Sequence, residues 1–537
     1  MKTSKRITSF FSFAFSCQLL VHANTPPAPT LNEFNPNFKD FSIETLQPIN
    51  NASFSLMHDI VNFEALEKDE DARISTQREI AYVREGQDLS AGEINAVKKR
   101  LPRVRNCIEN IVSERLSYKH LPNISVIASG GGYRATIATL GLTKGLQNID
   151  MLDAIMYMAT LSGSTWFLGN WMAQNIPLKL LQPLLQDQIA THLLTTPLSL
   201  EAVYRTLYKK IKHEQDTSLV DIWGILLANA FMRNLTPGGR KIYLSELAVN
   251  LETGNFPVPI FTSIGTFYEN YAWFEYSPFE IGSHELNAFI PTKAFNSTFE
   301  NGVATSVDSE QTFGYLMGIF GSAFSVNARD LIRIFKDNFT STALASTLEK
   351  IANVTHVGGW RATAAKIRNF TYGMRSQAMR NEKHLTLMDG GIGFNLPLPP
   401  MLRRDVDIYI FCDASMGGKI GDELKKAIDY AQKNGHKFPR IDYTKLDEQR
   451  VSIFMDSHDM TIPIVVYVPN ELDYPTSKFE YTPTEFARLS THMSKAIEDN
   501  QDALFEAVKI KVKHLQKMHR SLSWNTHSEE KPAPATA

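Results

Sequence analysis

Residues 124–166 read ISVIASGGGYRATIATLGLTKGLQNIDMLDAIMYMATLSGSTW, and this stretch decides the fold. Ile124-Ser125-Val126-Ile127-Ala128 is a short apolar strand, broken at once by Gly130-Gly131-Gly132. A helical run follows, from Arg134 to about Leu146. Residues 154–161 form a second strand, Ser162-Gly163-Ser164 punctuates it, and a Trp-Phe-Leu helical run begins. Strand, glycine turn, helix, strand, tight turn, helix is the alternation of a parallel α/β sheet. Two further β-branched runs of strand length, 406–411 and 462–468, enclose a helical stretch at 419–433.

Upstream, Ser90-x-x-Glu93 reads as a capping box before Ile94, Val97, Leu101, Val104, Ile108 and Ile111. Those spacings predict an amphipathic packing helix, interrupted at Pro102. The chain opens differently. Lys2, Lys5 and Arg6 precede an apolar run at 7–21, and Ala23 offers a small residue at a cleavage point. That layout predicts a secretory signal peptide over 1–23, and a secreted, envelope or periplasmic destination. The run is too short and too broken by Ser for a membrane anchor, and the residues before Cys17 fit a lipoprotein signal poorly. The expected organisation is signal peptide 1–23, leader and packing helices 24–110, catalytic domain 111–520 and a disordered tail 521–537.

The chain has 537 residues, with 43% hydrophobic and 21% charged, enough to build a sizeable core. A net charge of -2 gives no global field toward nucleic acid. Beyond the signal segment there remain Cys107 and Cys412, which are free to pair if the fold brings them together. Seven Asn-x-Ser/Thr sequons occur, at Asn51, Asn123, Asn234, Asn296, Asn338, Asn353 and Asn369.

Three features carry chemistry. Ser162 sits at a strand-to-helix turn flanked by the small residues Gly163 and Ser164, where a strained backbone exposes a nucleophilic hydroxyl; an ordinary tight turn has the same residues. The glycine triplet presents backbone N–H groups for a tetrahedral oxyanion or for a phosphate. Neither Gly-x-x-x-x-Gly-Lys-Ser nor Gly-x-Gly-x-x-Gly occurs there. Arg134, on the first helical turn after it, has a fork of donors that suits a phosphodiester, or is simply a solvated helix-start arginine. Asp389 follows the extended run 384–388 and precedes Gly390-Gly391, as a base or as a common Asp-Gly turn. Desolvation can raise an aspartate's pKa, so a Ser-Asp dyad needs no histidine.

Ser-Gly-Gly-Gly-Tyr-Arg-Ala at 129–135 and Leu-Ser-Gly-Ser-Thr-Trp at 161–166 resemble the catalytic domain of the cytosolic phospholipase A2 and fungal lysophospholipase (phospholipase B) family. The blocks at 220–224, 274–282, 317–325, 389–397 and 438–442 are similar to that family's, in its order, from about 70 to about 510. The resemblance implies a patatin-like fold: a central, mostly parallel β-sheet sandwiched by helices, with a cap or lid insertion. It implies a Ser162–Asp389 dyad acting on phospholipid esters at a membrane or micelle surface. Gly131 and Gly132 would form the oxyanion hole and Arg134 would hold the phosphate. No metal, cofactor or obligate protein partner is expected.

The family's pattern has Gly two residues before the nucleophile, where this chain has the bulkier Thr160. Thr160 supports one other reading, a lipid-binding protein weakened in catalysis; a patatin-type general lipid esterase, which also uses a Ser-Asp dyad, is a second. For lipid contact the sequence offers the aromatic, Gly-rich stretch 313–324, a mobile lid or a buried packing segment. It also offers the basic helix 503–520, a membrane face or a docked terminal helix.

Overall fold

The computed structural model describes residues 80–193, 210, 213–236, 239, 241–267, 270–306, 310–323, 364–416 and 418–528. The signal segment, the leader to residue 79, Cys17, the sequons at Asn51, Asn338 and Asn353, residues 324 and 325, and the tail after 528 lie outside them.

The strands follow one another as β1 (Arg84–Glu85), β2 (Ile124–Ala128), β3 (Ile155–Leu161), β4 (Val258–Phe267), β5 (Asn270–Tyr276), β6 (Glu280–Ser283) and β7 (Ala288–Pro291). A small hairpin of β8 (Thr298–Glu300) and β9 (Val303–Ser306) stands apart. Then come β10 (Ala365–Arg368), β11 (His384–Met388), β12 (Ile408–Asp413), β13 (Ser452–Phe454) and β14 (Ile464–Pro469). The helices are α1 (Ala91–Val112), α2 (Gly132–Asn148), α3 (Gly163–Gln174), α4 (Leu178–Ile189), α5 (Leu219–Met232), α6 (Phe313–Phe320), α7 (Asp422–Lys433), α8 (Pro483–Glu498) and α9 (Gln501–Ser528).

One sheet holds twelve of the strands. Its centre runs β4-β3-β2-β12-β14, and every pairing there is parallel. β2, β3, β12 and β14 are buried along their whole length, as expected of strands covered by helices on both faces. Antiparallel strands finish the edges: β5, β6, β7 and β1 beyond β4, and β13 beyond β14. The result is the mixed, mostly parallel sheet flanked by helices that the sequence predicts.

β4 does the positioning. On one edge its residues 261–267 pair with β5. On the other edge β3 runs parallel to it and stops with Leu161 opposite Thr262. β11 then takes over that edge from the opposite direction, with Met388 opposite Ile264. Two strands thus meet end to end beside β4. The residue after each is Ser162 in one case and Asp389 in the other.

Several local expectations change. α1 is continuous through Pro102, whose ring lies on the exposed side. Lys98, whose carbonyl loses its helical N–H partner to the proline, is exposed too. The capping box forms by half: Ser90 Oγ accepts the Glu93 N–H, but the Glu93 carboxylate turns inward to Arg404. Ile94 is exposed, while Arg100 is fully buried and donates to the carbonyls of Ile155, Gly254 and Leu152.

Cys107 and Cys412 are both free and buried, not paired. Burial pushes each thiol up to about 12, so neither is a nucleophile. The stretch 313–320 is the buried helix α6, not a surface lid. It packs against α5 so closely that a Cβ on Gly224 would stand 2.5 Å from the Gly314 carbonyl. α9 docks through Leu504, Ala507, Val508 and Val512. Its Lys511 is buried too, donating to the carbonyls of Met460 and Ile462 at 2.8 and 3.0 Å. The docked alternative for this helix is therefore the one that forms. It continues to Ser528, eight residues into the stretch expected as tail.

Of the four described sequons, Asn123, Asn296 and Asn369 spend their side-chain amides inside the protein. Asn234 is on the surface. No helix among the described residues is long and apolar enough to cross a membrane.

Candidate active site

Ser162 stands between β3 and α3 with φ 51° and ψ -122°. A non-glycine residue there is strained, and the strain is held by its neighbours. Ser164 Oγ accepts the Leu161 N–H at 2.9 Å and lies 2.9 Å from the Ala128 carbonyl. The Thr165 N–H donates to the Ser162 carbonyl at 2.9 Å. Thr136 Oγ1 donates to the Gly163 carbonyl at 2.7 Å and ties α2 to the start of α3. A Cβ on Gly163 would come within 2.0 Å of the Gly132 carbonyl, so glycine is required where the two helix starts cross. Thr160 fits: it is wholly buried, and its Oγ1 has no partner among the described residues.

The glycine turn lies against this serine. A Cβ on Gly130 would stand 2.8 Å from Ser162 Cβ and 3.5 Å from its Oγ. Gly131 has φ +140° and Gly132 +59°, conformations that open the turn toward the helix start. No described residue accepts the N–H of Gly131 or of Gly132. These two donors sit at the N-terminus of α2, where the aligned peptide dipoles favour an anion.

Arg134 is not the solvated arginine that its place on the first turn allows. It is buried, and burial lowers its pKa. Nε donates to the Ala414 carbonyl at 2.8 Å and Nη1 to the Tyr474 carbonyl. Nη2 lies beside Gly131. The side chain thus braces the glycine turn against the 414–416 loop, with one nitrogen left over.

Asp389 is buried at the end of β11. Its Oδ1 accepts the Gly391 N–H at 2.9 Å and its Oδ2 the Ala323 N–H at 3.4 Å. The Ser162 hydroxyl lies near enough to lower the carboxylate's pKa as well. Burial pushes the group up to about 6, and those three donors pull it partly back. A carboxylate at that value is ionised at neutral pH yet basic enough to take a proton. Among the described residues no histidine is its partner; His384 stands at the far end of β11, beside Asp216. Among the described residues no group of three His, Cys, Asp or Glu could hold a metal ion.

Sequence reasoning missed the residues that hold these groups. Ser322 Oγ accepts the Asp389 N–H at 3.1 Å. Asn395 bonds to Gly130 and to Ser415. Asp413 accepts the Tyr467 hydroxyl at 2.8 Å and fixes the loop that carries Ala414. Asn395 and Ser322 had one signal each, their places in the family-like blocks 389–397 and 317–325; Asp413 had none.

The model of the lysophospholipase catalytic domain matches residues 124–425, more than half of the chain. Human cytosolic phospholipase A2 zeta is 25% identical over 458 residues, 72% of this chain and 53% of its own length. Mouse cytosolic phospholipase A2 gamma is 31% identical over 245 residues, 44% of this chain and 39% of its own. The chain thus spans about half the length of the first of these relatives, 53%. Among solved structures, human GIVD cytosolic phospholipase A2 superposes with a TM-score of 0.70 at 21% identity, covering 82% of this chain and 69% of that one. The same human protein in complex with methyl gamma-linolenyl fluorophosphonate gives 0.66. With the ordered sequence blocks, the end-to-end meeting of β3 and β11 and a family model across 124–425, this chain belongs to the lysophospholipase catalytic-domain family.

Proposed function

We propose that this chain is a serine acylhydrolase that releases fatty acids from glycerophospholipids or lysophospholipids through Ser162 and Asp389. One observation carries the reading: a serine in a strained strand-to-helix turn beside a buried carboxylate that burial lifts to about 6, next to two N–H donors that no described residue uses. Ser162 Oγ attacks the acyl carbonyl carbon as Asp389 takes its proton. The oxyanion accepts from the N–H groups of Gly131 and Gly132. The ester C–O bond breaks, and Asp389 returns the proton to the departing alkoxide. Water then gives a proton to Asp389 and attacks the acyl-serine. The fatty acid leaves, and the proton returns to Ser162 Oγ.

Arg134 adds positive potential to this end of α2, and its Nη2 is the donor available to a substrate phosphate. The relatives are named cytosolic. The basic and apolar start of this chain favours export, and cell fractionation of the full chain decides between the two.

Mass spectrometry of products from a phospholipid with different acyl chains at its two positions tests the activity. Wild type should release free fatty acid and a lysophospholipid or glycerophosphodiester, and Ser162→Ala should release neither. Turnover of uncharged lipid esters alone favours a general lipid esterase. Absence of turnover together with absence of fluorophosphonate labelling refutes the enzyme and leaves a binding protein.

A further inference from the structure

One side chain grips the first residue of the glycine turn. Asn395 Oδ1 accepts the Gly130 N–H at 3.1 Å, and its Nδ2 donates to the Gly130 carbonyl at 3.1 Å. The same Nδ2 donates to Ser415 Oγ at 2.7 Å. Ser129 Oγ also lies 3.1 Å from the Gly130 carbonyl. The Asn395 backbone N–H donates to Glu423, in the first turn of α7, so the residue is held from behind as well. Gly130 has no slack between these groups. A Cβ there would stand 2.6 Å from Asn395 Oδ1 and 2.8 Å from Ser162 Cβ.

The peptide bond turns this grip into aim. The Gly130 carbonyl and the Gly131 N–H belong to one planar, trans peptide, so they point in opposite directions. A bond that fixes the carbonyl fixes the direction of the Gly131 donor. Glycines have no side chain to restrict them, so something else must set that plane. Asn395 also belongs to the loop that begins at Asp389. It therefore joins the carboxylate's loop to the donors' loop directly.

We propose that Asn395 is a positioning residue for the acyl transfer, orienting the Gly131 N–H toward the oxyanion and fixing the glycine turn against Ser162. This rests on the Ser162–Asp389 reading above. An oxyanion donor that is misaimed, not removed, should cost less than the ~10²–10³-fold of a deleted donor. Asn395→Ala should therefore lower kcat by about ten- to a hundredfold, with KM changed by less than about threefold. Its rate of fluorophosphonate labelling at Ser162 should fall in parallel.

Asn395→Asp adds a readout that simple destabilisation does not move. An ionised carboxylate accepts the Gly130 N–H but cannot donate to its carbonyl; a protonated one can. The deficit in kcat relative to wild type, taken at each pH, should narrow as pH falls from about 8 to about 5. That profile carries the test if Asn395→Ala does not fold. Variants that keep wild-type kcat, or that raise KM alone, or an Asp variant whose deficit is the same at every pH, overturn the proposal. If wild type turns over and the variants keep pace, this inference alone falls. If wild type neither labels nor hydrolyses, the acylhydrolase reading falls, and this inference with it.

Discussion

Glu275 on β5 and Asp389 just after β11 come from strands on opposite edges of β4, and both carboxylates are buried. Glu275 is on β5 and meets two guanidinium groups. Arg404 Nη1 and Nη2 lie 2.8 and 3.2 Å from its oxygens, and Arg403 bonds to it as well. Arg404 also holds Glu93 at 2.8 and 3.0 Å. Burial alone would raise Glu275, but Arg404 and Arg403 hold it down to about 2. Among the described residues Asp389 meets no cation. Its carboxylate has two backbone N–H partners there, with the serine hydroxyl nearby, and burial lifts it to about 6. Compensated charge is locked and structural. Uncompensated charge is poised to accept a proton.

That contrast can be broken first at Asp389. Asp389→Asn, like Ser162→Ala, should lower kcat/KM by about 10⁴-fold or more while the protein stays folded. Steady-state assays with a thermal melt beside them check this. At the other carboxylate the effects reverse. Glu275→Gln leaves Arg404 and Arg403 short of a buried counter-ion, and should destabilise the fold by about 3–5 kcal/mol. Turnover per folded molecule should stay as in wild type, because nothing in that cluster touches Ser162. Urea titration and an active-site count separate the two quantities.

A smaller effect sharpens the same comparison. The folded state binds the Asp389 proton more tightly than the unfolded chain, whose value is near the ordinary 3.8. Below that pH both states are protonated and the group is neutral in its effect. As pH rises through about 6 the folded state must carry a buried charge, and stability is lost. Asp389→Asn removes that cost. It should be more stable than wild type at pH 7, by up to about 3 kcal/mol, and the gain should vanish near pH 4. Glu275 has the opposite sign: its low value makes its contribution present above the ordinary carboxylate range and lost as pH falls toward about 2.

The two sites were not equally legible in sequence. β2 and β11 were readable end to end, because each is a short apolar run cut off by glycine. Gly131, Gly132 and Asp389 stood at those cuts and Ser162 at the end of β3, so the candidate site followed from local patterning and family resemblance. The structural cluster left no local trace. Glu93 and Arg404 are 311 positions apart, and on its helix Glu93 passes for a capping residue. Arg100 was hidden in the same way, since its partners are carbonyls of distant segments. The pairing of β11 with β4 spans more than a hundred residues, and no pattern in either strand announces it. Arg134 was noticed, but its burial depends on Ala414 and Tyr474, which the sequence does not bring near.

The claim that Asp389 is the base for Ser162 has a direct test that needs no knowledge of the natural substrate. It is the rate at which a fluorophosphonate modifies Ser162, followed across pH by mass spectrometry. Wild type should show one acidic limb with a midpoint at about 6, set by Asp389. Asp389→Asn should label at least ~10²-fold more slowly at every pH, without that limb. If Asp389→Asn labels as fast as wild type, or keeps the same limb, the dyad is wrong.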